Sequence, residues 1–129
     1  MTTGLGCLLL SGSCTYDKGQ QDEPRPCADV PATVSYVRDI VPIINQKCQA
    51  CHGASVYLTQ GGGHNWTDYR ELQVYARSGS LLGVLEHKNP LYAAVYMPRL
   101  IGTTREGPRL QACDIERIRV WVNAGALNN

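Results

Sequence analysis

The residues best suited to chemistry form one short segment, Cys48-Gln49-Ala50-Cys51-His52, in which two thiols three positions apart are followed at once by an imidazole. On one helical turn this spacing brings both sulfur atoms to the same side of the chain. Each sulfur can form a thioether with one of the two vinyl groups of haem, and the next residue then lies beneath the iron as a nitrogen ligand. Gly53 lets the backbone pass close to the ring. The motif predicts one covalently attached haem c.

Two other roles are open to a pair of cysteines at this spacing. Cys48 and Cys51 can act as a thioredoxin-like redox pair, or they can supply half of a zinc site. Neither role requires a histidine directly after the second cysteine, and the sequence lacks a second cysteine or histidine pair at zinc-ligand spacing. The sequence favours haem attachment and leaves both alternatives open.

Met97 is the candidate for a second iron ligand, because the only other methionine is Met1. It precedes Pro98, and a residue before a proline is biased towards an extended conformation, so Met97 is expected outside a helix. A thioether sulfur raises the reduction potential of haem iron relative to a second imidazole. A core methionine that fills a packing gap is the alternative. His64 and His87 are rival ligands, and both are expected at the surface.

A targeting segment is expected at the N-terminus. Residues 1–13 carry no charge and contain a short apolar run, and small residues then precede Cys14. This pattern resembles the lipobox of bacterial lipoproteins, where a signal peptide is cut before a cysteine whose thiol carries lipid. Ser11 stands where a lipobox has an aliphatic residue, and no basic residue precedes Lys18, although signal peptides begin with positive charge. A true start upstream of Met1 and a disordered N-terminus with a stray cysteine are the alternatives.

The remaining chain divides into a polar tether and one domain. Residues 14–33 are polar and contain prolines, which is typical of a tether, and residues 34–129 are expected to fold. The 129 residues are 43% hydrophobic and 18% charged, as in globular proteins. The net charge of +1 argues against nucleic acid as a partner. The N-terminal apolar run is shorter than the roughly 20 residues that a transmembrane helix needs.

Apolar residues at helical spacing predict an all-α domain, and no segment shows the alternation typical of strands. The first helix leads into Cys48, and either Ser35 or Asp39 can begin it. The next helix follows a capping-box segment that starts at Asp68, and it ends at Ser78-Gly79.

Two more helices complete this prediction. A short one follows Ser80. The last one is the clearest, because Asp114 is placed to cap it and Gly125 to stop it. Its apolar stripe consists of Ile115, Ile118, Trp121 and Val122.

Two further cysteines, Cys27 and Cys113, lie near the two ends of the folded part. In an oxidising compartment they can form a disulfide. Such a bridge closes a long loop and is worth roughly 4 kcal/mol in the chain-entropy model. Two free thiols are the alternative.

Three arginines, Arg99, Arg105 and Arg109, lie in or beside a loop that contains glycine and proline. They can pair with a haem propionate or steer an acidic partner. Solvated surface charge is the plainer interpretation, since exposed ion pairs contribute little.

Several of these segments together resemble class I cytochromes c. They are residues 37–44, the C-x-x-C-H segment with Gly53, Met97-Pro98, and the last helix with Trp121. In particular, the chain resembles the short lipoprotein-type monohaem cytochromes c of Gram-negative bacteria, over about residues 14–129.

This resemblance implies a fold in which a few helices wrap around one covalently attached haem, with the first and last helices crossing beside it. It implies thioethers from Cys48 and Cys51, and axial ligation of the iron by His52 and Met97. It implies no catalytic residues.

The function implied by the resemblance is electron transfer in the cell envelope. Such a protein would be exported to the periplasm or held at the outer membrane through lipid on Cys14, and it would exchange electrons with redox partner proteins across small, weak interfaces. The alternative is a haem protein with a labile sixth ligand that senses a gas or reduces peroxide, which requires that Met97 does not bind iron. A two-haem peroxidase would need a second C-x-x-C-H segment, and the sequence has none.

Overall fold

The computed structural model describes residues 27–88, 97–98 and 109–129. The expected leader, the lipid-anchor candidate Cys14 and the candidate arginines Arg99 and Arg105 lie outside the described residues. Within these ranges the chain is helical and has no strand, so the all-α prediction is confirmed at that level. The helices are α1 (Val41–Lys47), α2 (Gln49–His52), α3 (Tyr69–Arg77), α4 (Ser80–Leu85) and α5 (Ala112–Asn123), and a π-helical turn (Tyr36–Ile40) leads directly into α1.

None of these helices combines the length and the apolar character needed to cross a lipid bilayer, as far as the described part of the chain is concerned.

Ser35 begins the first helical segment. Its backbone is extended, with φ −89° and ψ 137°, and its Oγ accepts a hydrogen bond from the Arg38 N–H at 3.4 Å. Asp39 lies inside the segment, where its N–H donates to the Ser35 carbonyl at 2.9 Å and its carboxylate accepts from the Ser35 N–H at 2.8 Å. This reciprocal arrangement satisfies amides that have no intrahelical partner. Of the two starts left open by the sequence, Ser35 is right and Asp39 is wrong.

Asp68 caps α3 as the sequence predicts. Its carboxylate accepts from the N–H groups of Arg70 at 2.8 Å and Glu71 at 3.4 Å. Glu71 does not close a capping box, because its carboxylate instead accepts from the Asn65 N–H at 3.1 Å. The helix gives way to α4 at Gly79, whose φ of +78° favours glycine.

The start of α5 differs from the prediction. The helix begins at Ala112 after an extended Gln111, and Asp114 lies within its first turn. The Asp114 N–H donates to the Gln111 carbonyl at 3.0 Å, and its carboxylate pairs with Arg117 at 3.3 Å. Asp114 as the cap is therefore wrong; it stabilises the positive end of the helix dipole instead.

The predicted stop of α5 at Gly125 is confirmed. Gly125 has a φ of +94°, and its N–H donates to the Val122 carbonyl at 2.9 Å. The N–H of the next residue, Ala126, donates to the Trp121 carbonyl at 2.9 Å. Together these bonds form a Schellman motif, which needs a residue that tolerates a left-handed backbone at this position.

The core is built where the first helical segment meets α5. Tyr36 stacks on Trp121 with ring centroids 5.6 Å apart, and its ring makes an edge contact with Tyr69 of α3 at 4.8 Å. Trp121 is fully buried, and its Nε1–H donates to the Leu127 carbonyl at 2.8 Å. The first helical segment and α5 therefore lie in contact.

The segment after α5 returns to the start of the first helix. The Asn129 carbonyl accepts hydrogen bonds from the Ser35 Oγ at 2.6 Å and the Val37 N–H at 3.1 Å, and the Asn129 side-chain oxygen accepts from the Tyr36 N–H at 2.9 Å. The start of the first helical segment and the segment after α5 thus satisfy each other's hydrogen-bonding groups.

A disulfide joins Cys27 to Cys113, whose Cα atoms are 5.3 Å apart and which are separated by 86 in sequence. It ties the segment that precedes the first helical segment to the first turn of α5. Arg109, the one candidate arginine in the described ranges, is exposed.

An ion-pair network connects α4 to α5. The Arg119 guanidinium of α5 contacts the carboxylates of Glu86, at the end of α4, and Glu116. The hydrogen bond from Arg119 holds the pKa of Glu86 below its ordinary value, although partial burial opposes the shift.

We expect Glu86→Gln to weaken the acid dependence of stability. A carboxyl whose folded-state pKa is depressed stabilises the fold above its unfolded-state pKa, and this contribution is lost as the pH falls through the folded-state pKa. The melting temperature of Glu86→Gln should therefore lie below that of the parent at pH 7. The gap should narrow as the pH falls below the ordinary glutamate pKa of about 4.3 and close once the pH lies below the lowered folded-state pKa. Circular dichroism melts across this range test the expectation, with Glu116→Gln as the control that leaves the α4–α5 contact in place. A gap that stays constant with pH would contradict it.

Candidate cofactor site

The C-x-x-C-H segment forms one helical turn at the end of α1. The Cys48 N–H donates to the Ile44 carbonyl at 2.9 Å, so Cys48 continues the preceding helix. The N–H groups of Cys51 and His52 both donate to the Cys48 carbonyl, at 3.1 and 2.8 Å. Two sulfur atoms and an imidazole therefore come from a single rigid turn, as the sequence predicts.

An apolar cavity opens beside this turn. It brings together all four residues that the sequence and the resemblance single out, since Cys48, Cys51, His52 and Met97 all line it. The rest of its lining comes from Lys47, Ala50, Gln60, Trp66, Leu85, Pro98 and Leu110.

The imidazole of His52 is held as a ligand would need to be. It is 4% exposed, and its Nδ1 lies 2.9 Å from the backbone oxygen of His64. A carbonyl only accepts hydrogen bonds, so Nδ1 carries the proton and Nε2 keeps its lone pair. Burial lowers the pKa of His52, while the hydrogen bond to His64 opposes the shift. A neutral imidazole with one nitrogen fixed and the other available is the form that binds a metal.

Trp66 covers one face of this imidazole. The two rings are stacked, with centroids 3.9 Å apart and planes within 6° of parallel. The backbone N–H of Trp66 donates to the backbone carbonyl of His52 at 3.0 Å. Trp66 is 5% exposed, and its Nε1–H has no acceptor among the described residues. Trp66 is not among the residues that the sequence motifs single out. The signal that could have found it is a lone indole, in a loop rich in glycine, shortly after the C-x-x-C-H segment.

The state of Cys48 bears on the redox-pair alternative. Neither Cys48 nor Cys51 is in a disulfide, and Cys48 is 8% exposed. Burial raises the pKa of the Cys48 thiol to about 12. Disulfide exchange depends on a reactive thiolate, which requires a lowered pKa. Cys48 is therefore poorly suited to that chemistry.

The zinc alternative finds no additional ligands in the part of the chain that the structure describes. Within residues 27–88, 97–98 and 109–129, no three or more His, Cys, Asp or Glu side chains are grouped to hold a metal ion.

Met97 reaches the cavity from outside the helices, as predicted. Its side chain is half-buried against the core, and its N–H donates to the Val84 carbonyl of α4 at 3.2 Å. The Met97–Pro98 peptide bond is cis. The contact with α4 holds this sulfur-bearing residue at the wall of the cavity.

The two rival histidines do not line the cavity, and both are partly buried where the sequence suggested surface positions. The His64 ring is engaged by the Tyr75 hydroxyl at 2.8 Å and by the Glu71 carboxylate at 3.4 Å. His64 thus serves the site through its backbone oxygen. His87 has a left-handed backbone, with φ +60°.

Two glycines are required by close backbone approach. A Cβ on Gly53 would lie 2.6 Å from the Gln49 carbonyl oxygen, so the end of α2 itself demands glycine there. A Cβ on Gly61 would lie 2.6 Å from the Cys51 carbonyl oxygen and 3.1 Å from the His52 Nδ1. The loop after the motif thus packs its backbone directly against the candidate ligand.

Comparison of the chain with protein-family models, curated proteins and solved structures found no match.

We expect Gly61→Ala to destabilise the protein by about 1–3 kcal/mol, the range for overpacking a tight site. The added methyl group would collide with the backbone of Cys51 and push on the His52 ring. Denaturant unfolding measures the change. Gly63→Ala is the control: Gly63 has a φ of +87°, but a Cβ there meets nothing within 4 Å, so it carries only backbone strain, of about 1 kcal/mol. Equal losses in the two variants would show that the contact at Gly61 is unimportant.

Proposed function

We propose that this protein carries electrons in the cell envelope by means of one haem c, bound through thioethers to Cys48 and Cys51 and ligated by His52 and Met97. One observation carries the proposal: the two thiols, the thioether and a buried imidazole with Nδ1 fixed all line one apolar cavity. Ligating histidines typically donate their second nitrogen to a carbonyl or carboxylate in this way.

The chemistry of the lining suits haem. The donors are a neutral imidazole and a soft thioether, which is a known ligand pair of haem iron. Leu85, Leu110 and Trp66 supply apolar surface for a flat aromatic macrocycle. The buried Nε1–H of Trp66 lacks an acceptor among the described residues, and a propionate is an acceptor of the kind it lacks.

When bound, haem supplies a one-electron couple at its iron. The chain's own residues set the conditions for that couple. His52 offers a lone pair from a ring held by His64, and the soft Met97 sulfur would favour the ferrous state and a higher reduction potential. The apolar lining limits access of water. If His52 and Met97 both held the iron, no ligand position would remain for a substrate, which favours a carrier over an enzyme.

The place of action and the partners belong to the same proposal. The disulfide between Cys27 and Cys113 suits an oxidising compartment. Together with the lipobox-like segment before Cys14 it supports a periplasmic or outer-membrane location. Lipid on Cys14 would hold the protein at a membrane, and redox partner proteins would dock at the surface.

We expect the chain, made in a host with cytochrome c maturation machinery, to retain haem through acid–acetone extraction and to gain the mass of one haem. Cys48→Ala combined with Cys51→Ala removes both attachment atoms and should abolish covalent haem. Intact mass and haem staining after denaturing electrophoresis measure both results.

The matched control is Cys27→Ala combined with Cys113→Ala. It removes two cysteines of this chain that do not line the cavity. It should lower the melting temperature and keep the haem. A parent protein without haem under these conditions would end the proposal.

We expect Met97→Ala to remove the charge-transfer band of thioether-ligated ferric haem, to lower the midpoint potential and to admit carbon monoxide to the ferrous protein. The reason is that the substitution opens the sixth position. Met97→His should restore a closed, low-spin site at a lower potential than the parent.

The same spectra separate the carrier from the gas-sensing or peroxide-reducing alternative. A parent protein that shows no such band and already binds carbon monoxide would favour the alternative. A band that survives Met97→Ala would show that another residue binds the iron.

A further inference from the structure

We propose that Trp66 is a positioning residue for His52, and that its stacked indole fixes the plane of the imidazole about the bond that Nε2 would make to iron. This inference rests on the proposed function and adds a residue to it that the C-x-x-C-H motif does not contain.

The stack is the closest ring contact in the described structure. Indole and imidazole lie 3.9 Å apart and within 6° of parallel, and both residues are almost completely buried. The hydrogen bond from the Trp66 N–H to the His52 carbonyl, at 3.0 Å, joins the two residues a second time through the backbone. Rotation of the imidazole about the bond that Nε2 would make to iron would drive the edge of the imidazole into the face of the indole. The stack therefore resists the rotation that a single hydrogen bond at Nδ1 permits.

The indole is itself braced. Its ring lies 6.3 Å from that of Tyr75 on α3, and the Tyr75 hydroxyl is 2.8 Å from the His64 Nδ1. The backbone oxygen of His64 accepts the hydrogen bond from His52. The contacts thus form a closed cycle through four residues: His52, Trp66, Tyr75 and His64. Because Tyr75 belongs to α3, this helix holds the cycle in place.

Ring orientation matters to an iron ligand because groups outside the coordination sphere orient the ligand and tune the metal through it. The plane of an axial imidazole determines how its orbitals overlap those of ferric iron, and hence the splitting of the electron paramagnetic resonance signal. A ring free to adopt several orientations gives a broadened or doubled signal. Loss of the indole also admits water next to His52, which favours the ferric state and lowers the midpoint potential.

The experiment uses the haem-loaded protein with Trp66→Phe and Trp66→Leu. Trp66→Phe keeps an aromatic face and should retain the parent resonance signal, while loss of the Nε1–H changes the midpoint potential. Trp66→Leu should broaden or split the ferric resonance and lower the midpoint potential while covalent haem is kept. Because Phe keeps the signal that Leu alters, a general loss of stability would not reproduce this pattern.

The matched control is Trp121→Phe, which alters the other tryptophan. Trp121 is also buried, but it stacks on Tyr36 and does not line the cavity. It should lower the melting temperature and leave resonance and potential unchanged. A Trp66→Leu protein with the parent signal and potential would overturn the inference and leave the proposed function intact.

A second measurement covers the case in which Trp66→Leu is not recovered with haem. In the ferric parent, the haem methyl resonances in the nuclear magnetic resonance spectrum report the imidazole plane, and they should fit one orientation at all temperatures. Exchange between orientations would overturn the inference. A parent protein without haem would overturn both the proposed function and this inference, and intact mass identifies that outcome.

Discussion

The hydrogen bond between the His52 imidazole and the His64 backbone oxygen is the constraint to which the rest of the site is fitted. A buried imidazole is stable only when its polar atoms have partners, and this bond satisfies Nδ1 while leaving Nε2 for the cavity. It requires the chain to turn back within twelve residues, and that return depends on a backbone with no side chain at Gly61. The need of the His52 Nδ1 for a hydrogen-bond acceptor thus constrains the path of the loop between His52 and His64.

The residues that line the cavity come from separate segments of the chain. The site therefore exists only if the packing between helices holds those segments together. The C-x-x-C-H turn extends α1, Leu85 ends α4, and Met97 is held by the Val84 carbonyl. Three aromatic rings join the first helical segment, α3 and α5, and the disulfide ties Cys27 to α5. Such packing provides most of the stability of short helices, which are marginal by themselves.

Much of this could be predicted from the sequence, and the failures have physical causes. Helical spacing located the helices, and left-handed backbone requirements explain why Gly79 and Gly125 mark ends correctly. Ser35 and Asp39 were hard to separate because both have cap-forming side chains and both take part in the same cap. Asp114 misled because an acidic residue is favourable both as a cap and in the first turn. Trp66 could not be predicted because its role depends on a contact with the His52 ring across a loop. The spacing of residues along the chain does not indicate such a contact.

The burial of Cys48 has a consequence for the order of biosynthesis. A thiol enclosed in the finished core and neutral at physiological pH is a poor nucleophile and out of reach of an enzyme. Under the proposed function, a vinyl group would therefore reach this sulfur more readily in an open polypeptide than in the folded protein. Haem would then be attached while the chain folds and not after folding is complete. A chain that folded before attachment would bury the Cys48 sulfur to which haem must be joined.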